Sequence, residues 1–152
     1  MKKLGLILSI MFWIVLMPMT KVEAAEIVDS GTCGTDLTWT MDDEGTLVIS
    51  GEGIILEDYS TTKQSPFPAE IKKVVINAKL ERIGAYAFYN RSKIESVIFN
   101  DGLLQIGNCA FEGCTGLTRI NFPESINSIA YRAFVGCTGL VEILLSDNVN
   151  YF

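Results

Sequence analysis

One stretch limits the fold more than any property of the whole chain. Starting at Ile83, Ile106 and Ile129, the sequence repeats Ile-Gly/Ala-x-x-Ala-Phe, then a turn, an aliphatic residue and a short β-type run, at a constant spacing of 23 residues. Self-similarity at a fixed period of about 20–50 residues marks a repeat architecture and outranks local propensity. Aligned, the copies form apolar columns: Ala87/Ala110/Ala133, Phe88/Phe111/Phe134, Ile94/Leu117/Leu140, Val97/Ile120/Ile143, Phe99/Phe122/Leu145 and Leu103/Ile126/Val149. A coil this short cannot enclose its own apolar face, but a neighbour in register covers it. The columns therefore predict ladders running through the interior of a solenoid.

Val97 and Phe99 stand two apart, which is the inward side of a strand, so successive coils should place strands side by side at about 4.8 Å in a parallel sheet. Ile71, Val74, Ile76 and Leu80 fall 23 residues before the matching positions of the next copy, giving a half-coil and four strands in all. The Ala-Phe segments, followed by Gly113-Cys114-Thr115-Gly116 or Gly136-Cys137-Thr138-Gly139, suit short helical turns ended by glycine. Upstream, Leu37, Trp39 and Met41 alternate with threonines. Asp42-Asp43-Glu44-Gly45 then breaks the run before Leu47 and Ile49, a β-hairpin pattern that would cover the first coil. Residues 25–30 carry no pattern and are expected to be a flexible start, and 57–68 a loop, because Pro66 and Pro68 oppose helix.

The run from Ile106 to Ile126, Ile-Gly-x-x-Ala-Phe-x-Gly-Cys-Thr-Gly-Leu-Thr-x-Ile-x-Phe-Pro-x-Ser-Ile, resembles the leucine-rich repeats of BspA-like bacterial surface proteins. The lead-in around Ser30 to Gly53 is similar to that of the same family. The first full copy departs from it, with Asn90-Arg91-Ser92 in place of Gly-Cys-Thr. The resemblance implies a β-rich α/β leucine-rich-repeat solenoid with a parallel sheet on a concave face, short helical turns and an N-terminal β-hairpin cap. It also implies adhesion to host or neighbouring cells, since members bind extracellular-matrix proteins.

Residues 1–24 read as a signal peptide: Lys2 and Lys3, an apolar run from Leu4 to Met19, and Val22-Glu23-Ala24 before the expected cut. The apolar run is shorter than the roughly 20 residues of a membrane-spanning helix, so no stable span is expected and export is. Residues 25–70 then form the lead-in and cap, and 71–152 the solenoid, a half-coil plus three copies with no C-terminal cap. The uncapped last coil implies cover by a partner, end-to-end self-association, or continuation into a longer array. The formal net charge is −6; losing the three lysines and one glutamate of the leader makes it −8. Nucleic acid is excluded as a partner by that balance.

The chain has no histidine, the commonest general base and metal ligand. No enzyme and no cofactor is expected. Asp42-Asp43-Glu44 reads as a hairpin turn in preference to a calcium loop, whose ligands spread over a longer segment. Cys109 and Cys114 lack the partners of a zinc site. Cys114 and Cys137 occupy equivalent places in adjacent coils, close enough for a disulfide; small buried apolar side chains are the favoured reading, and both stay open. Asn90-Arg91-Ser92 fits the glycosylation pattern, which carries no meaning in a bacterium.

The outward side chains of the strands are the candidate site. One ladder runs Lys73, Ser96, Arg119, Glu142, a second Val75, Ile98, Asn121, Leu144, and a third Asn77, Asn100, Pro123, Ser146. An exposed aliphatic strip rimmed by polar residues tends to mark an interaction surface; otherwise these β-branched residues only strengthen strands. The leading expectation is a secreted or cell-surface module that binds an extracellular protein through the sheet. The alternatives are the non-catalytic N-terminal portion of a larger exported enzyme or repeat protein, and a structural spacer.

Overall fold

The computed structural model describes residues 24–54, 56–145 and 150–151. The expected signal peptide up to residue 23, Ser146 of the third ladder and Val149 of the inner columns lie outside them. Among the described residues no helix is long and apolar enough to cross a membrane.

Three strands open the fold: β1 (Ile27–Gly34), β2 (Leu37–Asp42) and β3 (Thr46–Gly51). They form an antiparallel meander, so the cap has one strand more than the hairpin expected, and residues 27–30 are strand where a flexible start was expected. The reason lies at Gly31. It sits opposite Trp39, and a Cβ there would fall 2.9 Å from the indole Nε1, so only glycine lets β1 lie against the ring. Leu37, Trp39, Met41, Leu47 and Ile49 point inward and are buried. The acidic turn is held by its own side chains: Asp42 Oδ1 accepts the amides of Glu44 and Thr46, and Asp43 Oδ1 accepts that of Glu26.

β3 then pairs in parallel with β4 (Lys73–Ala78), and the sheet continues through β6 (Ser96–Ile98), β8 (Arg119–Asn121) and β10 (Glu142–Leu144). These are the four coil strands that the period predicts. The cap is thus continuous with the solenoid in one seven-stranded sheet. A second sheet of two-residue strands, β5 (Arg82–Ile83), β7 (Gln105–Ile106), β9 (Ser128–Ile129) and β11 (Asn150–Tyr151), closes the coils. The segment between cap and coils is tied to the first coil: Leu56 and Tyr59 donate backbone N–H to Arg82 and Ala85. Asp58 meets Arg82 through both carboxylate oxygens at 2.8 and 2.9 Å and also accepts the Ala85 amide at 2.7 Å.

Between β5 and β6, and at the same place in the next two coils, hydrogen-bonded turns replace the expected short helices. In a helix each N–H bonds within its own segment. Here alternate N–H groups leave for the next coil: Tyr86 to Asn108, Phe88 to Ala110 and Asn90 to Glu112, then Cys109 to Tyr131, Phe111 to Ala133 and Gly113 to Val135. Left-handed residues bracket each turn. Tyr86, Cys109 and Arg132 form one such column, with φ of 56°, 53° and 58°; Asn90, Gly113 and Gly136 form the other, with φ of 56°, 76° and 75°. Asparagine is among the few non-glycine residues that adopt this conformation readily. It therefore replaces glycine in the first copy without breaking the rung.

Inside, the phenylalanines line up. Ring centroids of Phe88 and Phe111 lie 4.9 Å apart and those of Phe111 and Phe134 5.3 Å, both pairs stacked. Phe67 extends the stack at 4.9 Å from Phe88, although it precedes it by 21 residues and so falls outside the 23-residue register. A second stack joins Phe99 to Phe122 at 5.6 Å. All four cysteines are free and buried. Cys114 Sγ donates to the Phe88 carbonyl at 3.2 Å and Cys137 Sγ to that of Phe111 at 3.1 Å, so the thiols act as small core groups and form no disulfide. Burial pushes the Cys114 thiol up to about 12 and that of Cys33 up to about 11.

Candidate binding face

Alternation along each strand sends one set of side chains inward and the other out. Pairing fixes how the outward set aligns: Lys73 lies beside Ser96, Ser96 beside Arg119, and Arg119 beside Glu142; Val75 lies beside Ile98, and Asn121 beside Leu144. The two principal ladders therefore form side-by-side rows on one surface. Lys73, Arg119, Asn121, Ile98 and Leu144 are exposed, the last two at 48% each, while Val75, Ser96 and Glu142 are half-buried. Arg119 Nε and Glu142 Oε2 pair at 2.5 Å across neighbouring strands.

The third ladder behaves differently. Asn77 is exposed, but Asn100 turns back and donates Nδ2–H to the Leu80 carbonyl at 2.9 Å, so it serves the coil junction.

The face is larger than the repeat period implies. β3 continues it, with Thr46 beside Lys73, Val48 beside Val75 and Ser50 beside Asn77. β2 adds Thr40 and Thr38, and β1 adds Ser30 and Thr32. The surface thus grades from a hydroxyl-rich end on the cap to an aliphatic end at Ile98 and Leu144. The signal for the cap's share was present in the sequence as threonines alternating with Trp39 and Met41. It was legible only once β3 was known to pair in parallel with β4.

Chemically, this surface offers hydroxyl, charged and aliphatic side chains set in register along the strands. Among the described residues no group of three or more metal-ligating side chains comes together.

Parallel rungs, stacked identical residues and a sheet with an irregular outer row define a leucine-rich-repeat solenoid. The match is specific over 67–152, which fit the family described as BspA type leucine rich repeat region, in six copies, and the chain belongs to that family. Among solved structures it is similar to a leucine-rich repeat protein from Eubacterium ventriosum, at 19% identity and a TM-score of 0.62, covering 81% of this chain and 40% of the other. A leucine-rich repeat protein from Bacteroides ovatus is 22% identical, with 76% and 41% covered and a TM-score of 0.41. A leucine rich cell surface protein from Faecalibacterium prausnitzii is 20% identical, with 83% and 45% covered and a TM-score of 0.38. The chain spans about two fifths of the length of these structures. No curated protein matches it.

Proposed function

We propose that the chain is a non-catalytic interaction module of an exported or surface-displayed protein, holding an extracellular protein partner on the outer face of the seven-stranded sheet. The observation that carries this is the aliphatic row Val48, Val75, Ile98, held in register, with Leu144 beyond Asn121 and Lys73, Arg119 and Glu142 along its border. A partner covering Ile98 and Leu144 would remove their remaining exposed area from water, about 1 kcal/mol for each half-exposed side chain. The charged border would fix orientation and exclude mismatched partners more than it would add affinity. Family membership supports an interaction role, and the leader-like start, Lys2 and Lys3 followed by the apolar run from Leu4 to Met19, supports display outside the cell.

The test is binding of the full chain to immobilised extracellular-matrix proteins by surface plasmon resonance. Val75→Glu, Ile98→Glu and Leu144→Glu, made singly and together, place charge on the row while leaving the inner columns alone. Binding should weaken at least about tenfold in the triple variant, corresponding to about 1.4 kcal/mol. Unchanged binding in all three would move the site elsewhere on the molecule.

A further inference from the structure

The chain contains four arginines, and three are neutralised locally: Arg82 by Asp58, Arg119 by Glu142 and Arg132 by Glu112. Arg91 is the exception. Among the described residues no carboxylate pairs with it, and its guanidinium bonds only to neutral oxygens. Nη2 donates to the Phe67 carbonyl at 2.8 Å and to Ser65 Oγ at 3.3 Å, and Nη1 to the Tyr89 carbonyl at 3.4 Å. Its Nε–H is buried with no acceptor. Burial lowers the Arg91 pKa from its ordinary value, the opposite of what Asp58 does for Arg82. Withdrawing a cation from water without a counter-charge is unfavourable, and with both Nη2 hydrogens donated and Nε sealed the remaining Nη1–H is the donor left for a carboxylate.

Arg91 lines a cavity of about 130 Å³ together with Ser60, Thr61, Gln64, Tyr86 and Tyr89. None of the lining residues is acidic, in a chain with 18 acidic residues against 12 basic ones. Hydroxyl and amide groups supply donors and acceptors. The rings of Tyr86 and Tyr89, in edge contact at 5.3 Å, add aromatic surface of the kind that packs on the apolar face of a ligand ring. No lining residue belongs to a strand, so this place is distinct from the sheet face and does not depend on it.

We propose that this cavity binds a carboxylate, with Arg91 as its charge partner and Ser60, Thr61 and Gln64 as the surrounding polar contacts. The carboxylate arrives either on a small free acid or on an acidic sugar whose ring rests on the tyrosines. Arg91 also ties Phe67 to the first coil, so its removal would mix folding with binding. Thr61 and Gln64 are exposed and carry no core packing, which makes Thr61→Glu and Gln64→Glu cleaner: each puts a competing carboxylate beside Arg91.

The experiment is calorimetric titration of the full chain with glucuronate, acetate and neutral glucose, alongside thermal melting of each variant. Glucuronate should bind with Kd on the order of 1 mM and glucose should not. Either variant should weaken glucuronate at least tenfold without lowering the melting temperature. Acetate binding as well as glucuronate would assign the site to a bare carboxylate, and a preference for glucuronate would assign it to an acidic sugar; both uphold it. Equal response to glucose and glucuronate, no response to either acid, or undiminished glucuronate binding in both variants would overturn it.

Discussion

Ile120 and Ile143 are the same residue type, one coil apart in one column, yet they meet different surroundings. Ile120 is 1% exposed and Ile143 is 49% exposed. The Phe99/Phe122/Leu145 column repeats the contrast at its end, with Phe122 at 6% and Leu145 at 45%. In a compact domain burial is set by depth, whereas in a stack it is set by the coil on either side. Among the described residues the coil carrying β10 has a neighbour on one side only. The repeat pattern thus identifies which residues can be core, and nearest neighbours decide which of them are.

The strongest way to break that comparison is at the phenylalanine stack. Phe111 is fully buried, stacks on Phe88 and on Phe134, and meets the edge of Phe99 at 6.2 Å. Phe134 is half-buried and, among the described residues, stacks on Phe111 alone, with Phe122 at its edge. Phe111→Ala should therefore cost about 3–5 kcal/mol, and Phe134→Ala roughly half as much, because less area and fewer partners are lost. Urea unfolding followed by circular dichroism measures both. Equal costs would mean that stability is not passed from coil to coil by these rings.

A finer version uses the isoleucines themselves. Ile120→Val removes one methylene from a closed site and should cost about 0.5–1.5 kcal/mol. The same change at Ile143 removes a group already half in water, and should fall within about 0.5 kcal/mol of zero, as surface substitutions do. If Ile143→Val costs as much as Ile120→Val, something covers the last described coil in solution.

The same nearest-neighbour logic explains what was legible in the sequence. Every inner column recurs at 23 residues because each residue packs on its own kind, so the ladders, the four coil strands and the outward rows could be read directly. Phe67 could not, since it joins the stack from a non-repeating segment and reaches Phe88 by a path of different length. β1 was hidden because Ser-Gly-Thr-Cys-Gly has the composition of a loop, and its strand depends on Gly31 making room for Trp39 across the sheet. The turns read as helical in the sequence because Ala-Phe favours helix locally. The bonds that decide otherwise run to another coil. As for the outer face, the repeat specified which residues share it, but their variety, from Lys73 to Glu142 and Val75 to Leu144, follows no stacking rule and carries no partner's name.

The joint between cap and first coil offers the subtlest contrast, because there one carboxylate, Asp58, takes both a guanidinium and a backbone amide, whereas the coil-to-coil pairs Arg119–Glu142 and Arg132–Glu112 join side chains. Its hydrogen bonds to Arg82, and to a lesser degree the Ala85 amide, hold the Asp58 carboxyl below its ordinary value of 3.8. A carboxyl depressed on folding adds stability above its unfolded pKa, and that contribution disappears as pH falls through the folded value. Wild type should therefore melt above Asp58→Asn at about pH 7, and the gap should narrow as pH falls below the unfolded carboxyl value of about 4 towards about pH 2. Glu112, held low by Arg132, is common to both chains, so it cancels in the difference. The Asp58 carboxylate is more than half exposed, and solvent screening keeps the gap small, within about 1 kcal/mol at neutral pH. A gap that stays constant between the two pH values would assign the Asp58 contribution to hydrogen bonding that survives protonation, and would leave the cap joint no more acid-sensitive than the coils.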